Sequence, residues 1–108
     1  MNDGDDRGAR FGVGQLVVHS RFGYRGVVVD VDPCFELSEE WYEQVARSRP
    51  PKDAPWYHVL VHEGDQMTYV AERHLRADLS RDPVSHPLLS EFFDGFESGR
   101  YFVEHGIN

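Results

Sequence analysis

The alternation of apolar and polar positions, punctuated by glycine and proline, divides the chain into short strands. GQLVVHS, bounded by Gly12 and Gly14 on one side and SRFG on the other, predicts a first strand. YRGVVVDVDP carries the clearest strand pattern: Val27, Val29 and Val31 fall on one face, Gly26, Val28, Asp30 and Asp32 on the other, and Pro33 ends it. Gly26 lies inside this run, where glycine normally weakens pairing, so the position predicts a bend or a close backbone approach. WYHVLVHEGDQMTYVAE holds two apolar runs around Glu63-Gly64-Asp65, a hairpin signature, and ERHLRADLS predicts a tight turn into a last strand. Five short strands of this kind predict a mainly β fold, a small and strongly bent antiparallel barrel.

Two segments break the β pattern. Between Pro33 and Pro55, LSEEWYEQVARS predicts a short helix inside a long loop. Ser38 is placed to cap it, Glu39 and Glu40 sit in the first turn where the helix dipole favours acids, and Leu37 and Tyr42 have staple spacing. Trp41 and Val45, four apart, share a helical face. After Asp82-Pro83, Leu89, Phe92, Phe93 and Phe96 recur at helical spacing, with Pro87 acceptable in a first turn. Gly95 and Gly99 limit that helix to roughly two or three turns. So aromatic a tail is expected to dock on the barrel, or on a second copy or partner, because its apolar face cannot be left in water. The expected divisions are a disordered polar tail over 1–10, the barrel over 11–82, and the aromatic C-terminal helix and tail over 83–108.

Composition narrows the class. The 108 residues suit one domain, and the lone Cys34 leaves no partner for a disulfide, which fits a cytoplasmic location. Apolar runs of a few residues predict no membrane span. Eleven basic residues against 19 acidic ones give a net charge of −8. Lys52 is the single lysine and the arginines are scattered, which disfavours a phosphate-gripping face. The least acidic stretch, 11–32, contains Arg21 and Arg25, so any nucleic-acid surface should begin there.

No catalytic constellation emerges. His58 and His62, four apart on a strand, are ~13 Å from each other, too far to share a metal. The Cys34 thiol is flanked by Asp30, Asp32 and Glu36, which would raise its pKa rather than activate it. Asp30 and Asp32 are paired carboxylates but lie near a strand end, where solvated charge is the plainer reading. The glycines of FGVGQ and FGYRG sit between strands, not at the strand-to-helix turn of a phosphate cradle. Neither a cofactor nor a metal is expected. What remains is a surplus of aromatic side chains with an arginine, the usual anchors of binding surfaces, and the candidate partner-binding set is Tyr24, Arg25, Trp41, Trp56, His58 and Tyr69.

The strings HSRFGYRGVVVDVDP, APWYHVLV and TYVAERHL, in this order and spacing, resemble the HspQ or YccV-like family, also called hemimethylated-DNA-binding. The resemblance covers roughly 11–80 and implies an SH3-like barrel with no enzymatic activity and no cofactor. It also implies two roles: binding hemimethylated DNA, and serving as a specificity factor or adaptor of the Lon protease in the stress response. Two segments depart from the family pattern, the helix-like SEEWYEQVARS and the aromatic tail. The resulting expectation is a non-enzymatic module that binds a protein partner, protease or client, as an adaptor in proteolytic quality control. DNA binding through Arg21 and Arg25 is the alternative, and an oligomer through the C-terminal aromatic face is a further expectation.

Overall fold

The computed structural model describes residues 8–104. Its main sheet is antiparallel with strands in the order β4-β3-β2-β1-β5: β1 is Leu16–His19, β2 Arg25–Asp32, β3 Trp56–Val61, β4 Met67–Ala71 and β5 Leu75–Ala77. Turns set this order. Gly23 closes the β1–β2 turn and Glu63 the β3–β4 turn, both with positive φ, and a 3-10 turn at Glu72–His74 passes directly from β4 to β5. β5 then returns to pair with β1, Val17 opposite Ala77. The predicted strands, hairpin and closing turn are all present.

Both faces of the sheet are covered. Val17, Val28, Tyr57, Val59, Val70 and Leu75 form one buried cluster with Phe11. These residues come from all five strands, so the sheet curls until its edge strands share one core, the SH3-like arrangement. No ladder joins β4 to β5 among the described residues. Leu16, Val27, Val29 and Leu60 point the other way into a second cluster. The expected division of β2 fails at one point: Val31 packs with the first cluster rather than with Val27 and Val29. The ladder steps from Val28↔Val59 to Asp30↔His58, so a bulge at Val29 reverses the alternation beyond it.

The C-terminal segment covers the second face. The expected helix of two or three turns is instead a single turn, α2 at Leu89–Phe92, followed by a hairpin of β6 (Gly95–Glu97) and β7 (Arg100–Phe102). Phe93 is already extended, and Ser98-Gly99, both at positive φ, make the tight turn that turns the chain back. Phe93 and Tyr101 are buried on the second cluster, with Leu89, Phe92 and Phe96 partly buried beside them. The aromatic face therefore docks on its own sheet. Tyr101 fixes the position: its hydroxyl accepts from Val84 N and donates to Val84 O, each at 3.0 Å.

At the other end, Arg10 N donates to Glu72 Oε2 at 2.8 Å, and the N–H groups of Arg10 and Phe11 reach the Tyr57 hydroxyl. The tail expected to be disordered over 1–10 is thus anchored by Arg10. Its first seven residues lie outside the described region.

Candidate binding cleft

The long loop forms the predicted helix, α1 at Glu39–Val45, and Ser38 Oγ accepts from Trp41 N at 3.0 Å as its cap. The helix sits where it does because Tyr42 and Ala46 bury against Trp56 and Ala71. Phe35, Trp41 and Tyr69 complete this aromatic cluster, with ring centroids 5.0 to 6.0 Å from a neighbour. Between α1, the β1–β2 turn and the outer side of β4 the packing opens into a cleft of about 680 Å³.

Apolar groups form its body. Trp41 and Tyr69 lie half-buried in its wall, while Leu37, Val45 and Met67 line it although 38%, 54% and 47% exposed. Phe22, at the tip of the β1–β2 turn, is 73% exposed. It stacks on His19 at 4.7 Å, and His19 stacks in turn on His74 at 5.6 Å. His19 organises that turn: its Nδ1 accepts from the backbone N–H groups of Arg21 and Phe22 at 3.2 and 3.1 Å. The ring must be unprotonated at Nδ1 to do so.

The electrostatics of the cleft differ from those of the chain. None of its lining residues is an aspartate or glutamate, whereas Arg21, Arg47, His19, His58 and His74 are among them. Arg21 and Arg47 have no ion-pair partner among the described residues. Arg21 and Arg73 lie near His74. His74 Nε2 lies 2.8 Å from Ser48 Oγ, next in sequence to Arg47, and Arg73 donates to Ser48 O at 2.7 Å. Burial, then His74 and Arg21, holds the pKa of His19 below its ordinary value; burial, Arg73 and Arg21 do the same for His74. Both imidazoles are therefore harder to protonate than a free histidine, and the guanidinium groups beside them are the fixed charge.

At the far end Asp32 stands behind the wall. Tyr69 donates to its Oδ2 at 2.7 Å, and His58 Nε2 lies 3.3 Å from the same oxygen. Burial, then the hydrogen bond to Asp32, pushes the Tyr69 phenol well above its ordinary pKa, so it stays a donor. Potential ligand atoms of Asp30, Asp32 and His58 lie within 4.8 Å of one another, a proximity that the spacing of His58 and His62 did not reveal. Cys34 is exposed.

Of the candidate residues, Tyr24, Trp41, Trp56, His58 and Tyr69 all line this one cleft, and Arg21 joins them. Two of the candidates are engaged by the fold itself. Arg25 does not line the cleft: it pairs with Asp78 at 2.6 Å and donates to Ser80 Oγ and Asp82 O, tying β2 to the segment after β5. It is therefore committed to the fold. Trp56 is 2% exposed, and its indole N–H is used by Pro51 O, so it supports the wall from behind. Sequence reasoning missed Phe22 and Arg47 as site residues. A large apolar side chain beside glycine in a tight turn, as in SRFG, was the available signal for the first; for Arg47 there was none.

The family described as hemimethylated DNA-binding protein YccV like matches residues 9–100, and the chain belongs to it. The match runs through α2 and β6 into β7, so it includes most of the docked C-terminal segment.

Proposed function

We propose, on the premise that this chain is a YccV-like binding protein, that it works without catalysis as an adaptor presenting the α1–β4 cleft to a segment of another protein. The observation that carries this reading is the concentration of exposed apolar side chains around one concavity. Phe22, Leu37, Val45 and Met67 together with Trp41 and Tyr69 supply what an apolar peptide anchor needs. The partner in this reading is a client or a Lon-type protease, and the module brings the two together. The test is degradation of a client by Lon protease with the chain added. Acceleration by the wild type that disappears with Phe22→Glu supports the reading; an identical rate with and without the chain overturns it.

DNA is the second reading, favoured by the family description and by the absence of acids from the cleft lining. Bases could stack on Trp41 and Phe22 while Arg21 meets phosphate. With so few cations available and a charge of −8 overall, binding to a hemimethylated duplex should be weak and should vanish as salt rises from about 50 to about 200 mM. Tight binding at the higher salt would replace the adaptor reading with this one.

A further inference from the structure

Resting on the reading of the cleft as a protein-binding site, we propose that it selects acidic segments: an aromatic or branched aliphatic anchor with carboxylates clustered to one side. The argument is charge complementarity. In a chain with 19 acidic residues, a cleft lined by none of them is a local departure from the molecule's own composition. At one corner His74 Nε2 lies 2.8 Å from Ser48 Oγ, the residue that follows Arg47 in the lining, and Arg73 donates to Ser48 O behind it, while Arg21 lines the same cleft from the adjoining turn.

The apolar body lies beyond this corner, between Trp41, Tyr69 and Met67, and is backed at its far end by Asp32. A bound segment would therefore place its anchor among the rings and its carboxylates against Arg21 and Arg47. Carboxylates on the other side of the anchor would approach Asp32 and be repelled. Guanidinium groups suit this task because they hold carboxylates bidentately without titrating. A long polyanion fits less well, since its charge continues past the corner along a molecule whose net charge is −8. A peptide can confine its negative charge to the corner.

The probe is a displayed library of random short peptides selected against the full chain, followed by affinity measurements on the enriched peptides. Enrichment of acidic residues on one side of an aromatic or leucine anchor is expected. For such a peptide, Arg21→Gln combined with Arg47→Gln should weaken binding about three- to tenfold, the range for two partly exposed ion pairs. Arg76→Gln on β5, outside the cleft, should leave it unchanged. Replacing the peptide's glutamates by glutamines should match the arginine double variant.

Enriched peptides that are neutral or basic, and lose affinity with Phe22→Ala, would overturn the acidic partner while leaving the protein-binding cleft intact. Peptides indifferent to Phe22→Ala, or displacement of every peptide by a hemimethylated duplex at the higher salt, would overturn both. Phe22 is suited to this control because its exposure makes Phe22→Ala a small burden on folding.

Discussion

Gly26→Ala is the smallest change that tests how the sheet is assembled. Gly26 pairs with Val17 on one side and Val61 on the other, at the centre of the sheet. A β-carbon there would lie 2.5 Å from the carbonyl oxygen of Leu60 and 2.5 Å from Val59 Cγ1. Ordinary contact begins near 3.4 Å, so one strand has to move by most of an ångström. The obstacle is backbone, held by the β2–β3 ladder, and cannot swing aside as a flexible side chain would. Overpacking of this kind costs about 1–3 kcal/mol, while the reduced freedom of the unfolded chain returns about 0.4–1 kcal/mol. The first effect wins, and Gly26→Val should be worse than Gly26→Ala. For a domain this size, a net loss of about 1–2 kcal/mol lowers the melting temperature by roughly 4–16 °C. Thermal denaturation followed by circular dichroism reads this directly. Gly64→Ala is the control, because a β-carbon there meets nothing closer than 3.8 Å. A melting temperature unchanged or raised by Gly26→Ala, or lowered equally by both variants, would refute the close-approach argument.

Two further predictions follow from the tail and the cleft. Tyr101→Phe leaves both Val84 backbone groups without their buried partner and should cost about 1–3 kcal/mol, and Phe93→Ala about 3–5 kcal/mol, both as lower urea midpoints. Because folding holds His19 and His74 below their ordinary value of 6.5, the unfolded chain takes protons first as pH falls. Stability should hold above about pH 6.5, decline below it, and level off once pH passes the folded-state values. Melting temperatures across that window should show the slope, and His19→Asn, which keeps an acceptor near the Nδ1 position, should reduce it; a slope unaltered in His19→Asn with His74→Gln would refute the assignment.

Much of this protein was legible along the chain because the signals concerned were local. Glycine and turn residues delimit five strands, Ser38 caps α1 through a bond three residues away, and Gly26 announced a close approach by being glycine inside a valine run. Five of the six candidate binding residues, chosen for their side-chain type, line one cleft, although Trp56 is buried behind its wall. Three matters were decided only in three dimensions. The bulge at Val29 depends on register against β3, and so the face taken by Val31 could not follow from alternation alone. The tail has helical spacing of apolar residues, yet the outer face of Leu16, Val27 and Leu60 is covered by one turn and a hairpin, and tertiary burial overrode periodicity. Net charge pointed away from anionic partners, because a sum over residues carries no position. Folding sends the acids elsewhere and leaves Arg21 and Arg47 around an acid-free cleft, whereas Arg25, only four residues from Arg21, is spent on Asp78 by the pairing of β2 with β1 and of β1 with β5.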